Sequence, residues 1–216
     1  MNLALLLLIS YLIGAIPTSV VIGKLVKGID VRQHGSGNAG ATNTWRVLGW
    51  KAGITVLALD VAKGALAARL VPLIQFETLP LSVPVVSILC GLLAVIGHVY
   101  PVYIGFRGGK GVATAAGMFV AIAPIPMGIA VGVFLLFFFI FGMVSVGSMM
   151  AAVSVPISIA VSNAFFDTAY HLLLLVISCV LVVFIMYNHR GNIDRIIHGR
   201  EGTIRSVQLW RRILHR

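Results

Sequence analysis

Apolar residues in this chain come in runs long enough to cross a lipid bilayer, and the runs recur along almost its whole length. A backbone in hydrocarbon must satisfy its own hydrogen bonds, so runs of this kind point to membrane helices. Seven segments of about 15 to 23 residues stand against the ~20 needed to span. They are Leu3 to Ile22, Ala52 to Ile74, Pro80 to Tyr100, Val112 to Pro126, Met127 to Val144, Ser148 to Ser162 and Ala169 to Tyr187. Between Val112 and Ser162 the breaks are marked only by Pro124-Ile125-Pro126 and by Gly142 to Ser148, so merging there gives five or six spans. Only 10% of residues are charged, where a soluble domain carries about 25%. The expected fold is all-α: a polytopic membrane helical bundle of seven transmembrane helices, forming a single domain over residues 1–216. The first run is too long for a signal-peptide core and lacks a basic segment before it, so it is expected to be retained. Cys90 and Cys179 lie inside apolar runs and are expected to act as small hydrophobes.

Charge sets the expected orientation. With the segment after the first run placed in the cytoplasm, 14 of 16 basic residues fall on that side: Lys24, Lys27, Arg32, Arg46, Lys51, Arg107, Lys110, Arg190, Arg195, Arg200, Arg205, Arg211, Arg212 and Arg216. Lys63 and Arg69 lie within the second run, and the opposite loops around Glu77, Pro124 and Asp167 carry no basic residue. Positive residues favour the cytoplasmic side, which places the N-terminus outside and the C-terminus inside. The formal net charge of +10 suits anionic lipid and an anionic substrate.

Three glycine-rich basic patches then share the cytoplasmic face. They are Gly35-Ser36-Gly37-Asn38-Ala39-Gly40-Ala41-Thr42-Asn43 with Arg46, Gly105-Phe106-Arg107-Gly108-Gly109-Lys110-Gly111, and Asn188-His189-Arg190-Gly191-Asn192-Ile193. Glycine lets backbone N–H groups approach an anion, and Arg and Lys supply full charge, which is what a phosphate requires. Lys110 sits where the fourth run begins, so a helix N-terminus would point at the same anion. The second patch is not a nucleotide P-loop: its glycine spacing is one residue short, and Gly111 follows Lys110 where a Ser or Thr would hold magnesium. No acidic pair is spaced as a catalytic dyad, no His/Cys/Asp cluster has metal-ligand spacing, and no Gly-x-Ser-x-Gly elbow occurs. No metal, nucleotide or nucleic acid is therefore expected. Ser36, Asn38, Thr42, Asn43, Arg46, Lys110, Ser148, His189 and Asn192 remain as groups that bind phosphate oxygens, orient an alcohol or accept a proton. Asp60 and Lys63, three apart inside the second run, are expected to pair, since an unpaired charge at mid-membrane costs about 2.5–3.5 kcal/mol. Glu201 is expected to pair with Arg195, Arg205 or a loop Arg, and Ser145 and Ser148 to lie in the turn between the fifth and sixth runs.

The ordered motifs Gly-Ser-Gly-Asn-x-Gly-x-Thr-Asn with Arg46, Asp60-x-x-Lys63-Gly64, Gly97-His98-x-x-Pro101, Phe106-x-Gly-Gly-Lys-Gly-Val-Ala-Thr114, His189-x-x-Asn192-Ile193-x-Arg195 and Gly199-x-Glu201 resemble the bacterial acyl-phosphate:glycerol-3-phosphate acyltransferases over almost the whole chain. Arg107, where Lys is as frequent, and Ala39, where Pro is frequent, are mild departures. The resemblance implies transfer of a fatty acyl group from acyl phosphate to the 1-hydroxyl of glycerol 3-phosphate, giving lysophosphatidic acid and inorganic phosphate, the first step of phospholipid synthesis. No cofactor is implied. Arg46, Lys110, Ser36, Asn38, Thr42, Asn43, Ser148 and the N–H groups of Gly108, Gly109 and Gly111 would hold phosphate; Ser36, His189 and Asn192 would be catalytic, the last two positioning the glycerol. The implied location is the bacterial inner membrane, with the site facing the cytoplasm. Two alternatives remain. His189-x-x-x-x-Asp194 matches the pattern of a soluble-domain class of glycerolipid acyltransferases, and a small organic-anion transporter would also carry basic glycine-rich segments. A transporter would place polar groups at the midplane and show repeated halves; here only Asp60 and Lys63 are deep and no repeat is found.

Overall fold

The computed structural model describes residues 3–74, 81–166 and 170–204. Glu77, Asp167, Arg205, Arg211, Arg212 and Arg216, together with the starts of the expected third and seventh runs at Pro80 and Ala169, lie outside the described residues. All regular structure among the described residues is helical, and the chain forms two compact units, residues 1–122 and 123–216.

The first unit contains α1 (Leu3–Ala15), α2 (Thr18–Lys27), α3 (Ala41–Leu48), α4 (Trp50–Arg69), α5 (Val83–Val99) and α6 (Val112–Ile122). Its helices pack closely because small residues face each other. A Cβ on Gly64 of α4 would strike the Thr114 carbonyl of α6, and one on Gly117 of α6 would strike the Val61 carbonyl of α4. Gly14 against Ala94, and Gly97 against Tyr11, bring α1 and α5 together in the same reciprocal way. Leu6, Val71, Val86 and Cys90 form an apolar core beside them.

The second unit contains α7 (Pro124–Phe141), α8 (Val144–Phe165), α9 (Leu172–Asn188) and α10 (Arg190–Ile197). Gly142, at φ 69°, is the left-handed cap that ends α7 before α8 begins. At His189 the axis bends by 58° between α9 and α10.

Among the described residues, four helical segments are long and apolar enough to cross a membrane: Leu3–Lys27, Val83–Ile104, Pro124–Phe141 and Val144–Phe165. The bent pair α9–α10 makes a fifth when its two helices are counted as one span. All seven expected runs contain a helix, but two fall short of that standard. α4 has 20 residues but carries Lys51, Asp60, Lys63 and Arg69. α6 has only 11 residues, about 16 Å of rise against a ~30 Å hydrocarbon core. It stops at Ile122, short of the expected Pro126, because Pro124 opens the next helix, a position where its missing N–H costs nothing. Ser145 and Ser148 lie within the first turns of α8, not in the expected turn.

Candidate active site

In the first unit the first patch is a folded loop between α2 and α3. Asp30 caps a short 3-10 turn by accepting the Arg32 N–H at 2.9 Å, and its carboxylate grips the Arg32 guanidinium at 2.7 Å. Hydrogen bonding to Arg32, partly opposed by burial, holds the Asp30 carboxyl below its ordinary range. Gly35 and Gly37 take positive φ, at 61° and 74°. Asn43 is fully enclosed and spends its amide on the loop: Oδ1 accepts the Ser36 N–H at 2.8 Å, and Nδ2 donates to the Val31 and His34 carbonyls at 2.9 and 3.0 Å. Asn43 thus fastens the loop. Ser36, Thr42 and Arg46 are exposed and Asn38 is half-buried.

The second patch lies against the end of α5. Gly105 and Phe106 both take left-handed conformations, at φ 70° and 60°. The Gly108 and Gly109 N–H groups, expected to cradle phosphate, instead donate to the Val99 and His98 carbonyls, each at 3.1 Å. Glycine is needed there for close approach: a Cβ on Gly108 would strike the His98 carbonyl, and one on Gly109 the His98 ring. Lys110 is half-buried two residues before α6, and Gly111, at φ 89°, turns the chain into that helix.

The two patches meet. Arg32 Nη1 donates to the Ile104 carbonyl at 2.8 Å, 72 residues along the chain. A Cβ on Gly109 would also lie 2.9 Å from the Ala39 carbonyl. Beneath them Asp60 and Lys63 pair at 2.8 Å, as expected, with both side chains buried.

The third patch belongs to the second unit. The His189 Nδ1 lies 2.8 Å from the Ile185 carbonyl, which only accepts, so Nδ1 carries a proton. His189 is 3% exposed, not a solvated surface histidine, and Asn192 is also buried. Glu201 gathers this unit's polar groups: it accepts from Ser145 Oγ at 2.7 Å, Asn192 Nδ2 at 2.6 Å and Arg195 Nε at 2.8 Å. Ser148, buried, lies one turn after Ser145. Asp194 is exposed, with its carboxylate 3.2 Å from His198 and 3.6 Å from Arg200. Its partners and its exposure give no support to the His-x-x-x-x-Asp reading.

The glycerol-3-phosphate acyltransferase family model matches residues 4–199. The chain belongs to that family. This acyltransferase is 45% identical to the glycerol-3-phosphate acyltransferase of Chlorobium phaeobacteroides (strain BS1), over 94% of its own length and 97% of the relative's. It is also 45% identical to that of Chlorobaculum tepidum, over 92% and 95%. The crystal structure of PlsY (YgiH), an integral membrane glycerol 3-phosphate acyltransferase in its glycerol 3-phosphate form, superimposes with a TM-score of 0.81 at 38% identity, covering 94% of this chain and 95% of that one. The lysophosphatidic acid form gives 0.79, also at 38% identity. The acyltransferase is therefore a membrane protein. Its structure brings the first and second patches together, and it gathers Ser145, Asn192, Arg195 and Glu201 in the second unit. The sequence places Arg32 only among the basic residues and marks His98, with Pro101 at the exit of the third run, as structural without naming its partner. The Asp30-x-Arg32 spacing and the His98 of Gly97-His98-x-x-Pro101 were the available signals.

Proposed function

We propose that this acyltransferase moves a fatty acyl group from acyl phosphate to the 1-hydroxyl of glycerol 3-phosphate. The hydroxyl oxygen attacks the acyl carbonyl carbon and the carbon–oxygen bond to phosphate breaks. Lysophosphatidic acid and inorganic phosphate leave, and the hydroxyl proton passes to His189 Nε2 or to a substrate phosphate. The donor is a mixed anhydride with a good leaving group, so positioning and charge neutralisation suffice without a covalent enzyme nucleophile.

The observation that carries this reading is the locking of the two glycine-rich loops at Gly109, between Ala39 and His98. A rigid basic cradle is what two phosphate-bearing substrates require. Arg46 and Lys110 neutralise phosphate, with Ser36, Asn38 and Thr42 as donors around them and Gly108, Gly109 and Gly111 giving the loop its course. Ser148 is a further phosphate donor, His189 and Asn192 position the glycerol, His189 takes the proton, and Asn43 and Glu201 hold their loops. The bound states named for the two solved relatives are in keeping with these substrates. We assign the protein to the bacterial inner membrane with seven spans, α4 and α6 included, the N-terminus outside and the site at the cytoplasmic face, on the basic-residue asymmetry.

Purified protein given acyl phosphate and glycerol 3-phosphate should release phosphate and form lysophosphatidic acid without nucleotide or thioester. Transfer from an acyl thioester but not from acyl phosphate would overturn the donor.

A further inference from the structure

The phosphate loop rests on a side chain that is itself held from inside the helix bundle. His98, near the end of α5, meets the loop twice. Its carbonyl accepts the Gly109 N–H at 3.1 Å, and its ring lies so close to the Gly109 Cα that a Cβ there would collide with Nε2 and Cε1. On the other side, His98 Nδ1 faces Asp60 Oδ1 at 3.4 Å. A carboxylate only accepts, so Nδ1 carries a proton. Asp60 is in turn fixed from elsewhere in the unit. The same oxygen accepts from Thr18 Oγ1 at 2.7 Å and pairs with Lys63 Nζ at 2.8 Å, and that ammonium also donates to the Ile16 carbonyl at 3.0 Å. Lys63 already neutralises Asp60, so the contact with His98 is not needed for charge balance. What it adds is a fixed ring beneath the loop.

We propose that Asp60 and His98 are positioning residues of the acyl transfer. The buried carboxylate sets the tilt of the His98 ring. Ring and carbonyl together fix Gly109, and with it Lys110 and the start of α6. This rests on the acyl-transfer reading, and neither residue is assigned a contact with substrate. A displacement of about 1 Å in such a support can cost ~100-fold in rate.

The test compares two neutral replacements of the buried pair in the full-length protein in lipid nanodiscs: Asp60→Asn with Lys63→Met, and Asp60→Leu with Lys63→Met. Both remove the charges together, so neither strands a buried ion, but only asparagine keeps an oxygen for the His98 N–H. Calorimetric Kd for glycerol 3-phosphate, KM, kcat and Tm are measured. The leucine pair should show Kd and KM about tenfold or more above the asparagine pair; equal values would overturn the assignment. Should the leucine pair not fold, His98→Leu is compared with Val56→Ala, a buried truncation on α4, at matched loss of Tm. A larger rise in Kd for His98→Leu supports positioning, and an equal rise overturns it. A wild-type protein that binds glycerol 3-phosphate without transferring an acyl group would remove the acyl-transfer reading, while the Kd comparison still decides the positioning role.

Discussion

Glu201 Oε1 accepts a hydrogen bond from Asn192 Nδ2 at 2.6 Å, and the same oxygen accepts from Ser145 Oγ. One carboxylate thus ties the start of α8 to α10, while the Ile204 N–H closes onto the Gly142 carbonyl at 2.8 Å. Burial pushes the Glu201 carboxyl up, but hydrogen bonds from Ser145, Asn192 and Arg195 and the Arg195 charge leave it net below its ordinary value of 4.5. A group whose folded pKa lies below its unfolded one contributes stability that is present above the unfolded value and lost as pH falls through the folded one. Thermal stability should therefore decline on acidification below about pH 5. Glu201→Gln should lower Tm at pH 7 and flatten that decline. An unchanged acid slope in the variant would show that the carboxylate is not the clasp.

Close contact between α4 and α6 rests on two glycines aimed at each other's helix backbone, Gly64 at Thr114 and Gly117 at Val61. The obstacle in each case is main chain, which cannot rotate away. Gly117→Ala and Gly64→Ala should each cost about 1–3 kcal/mol through overpacking, read as a fall in unfolding temperature in detergent. Gly128→Ala is the comparison: a Cβ there meets nothing within 4 Å, and its stability should hold within about 0.5 kcal/mol. Equal losses at all three glycines would remove the packing argument.

Helix positions were legible because apolar runs and the prolines that interrupt them are local signals. α7 begins at Pro124, one of the breaks visible in the sequence. The role of Asn43 was not legible. An asparagine at the end of a glycine-rich stretch suits an anion site and a folded loop equally well, and only the loop's course brings Val31, His34 and Ser36 to its amide. The Arg32–Ile104 and Asp60–His98 contacts join residues far apart in sequence, which no local pattern encodes. The Asp60–Lys63 pair was legible because its partners lie one helical turn apart.

Lys110 is the charge of the second loop that stands just before α6, where Gly111 turns the chain into the helix. Lys110→Met keeps the aliphatic stem and removes the ammonium, so loop packing should survive while phosphate attraction is lost. Acyl transfer should fall at least ~100-fold, the scale of losing a single electrostatic stabiliser, in a protein that still folds. Lys110→Arg should recover part of it, because charge returns without the compact ammonium geometry. Turnover close to wild type in Lys110→Met would remove Lys110 from the site.

Asn192 and Asp194 sit two residues apart on α10 in opposite environments, which makes them a sharp comparison. Asn192 is buried and bonded to Glu201, whereas Asp194 is exposed and meets only charged groups of its own segment, His198 and Arg200, among the described contacts. Asn192→Ala removes both the amide proposed to orient the glycerol and a donor to the Glu201 carboxylate, so kcat/KM should fall by at least ~100-fold. Asp194→Asn removes exposed ion pairs, each contributing about 0–1 kcal/mol, and activity should stay within about threefold of wild type. Measuring both variants in one preparation decides between the motifs. If Asp194→Asn were the more damaging, His189 would work with Asp194 as in the soluble class. If Asn192→Ala is, the His189–Asn192 pair carries the proton and hydroxyl steps.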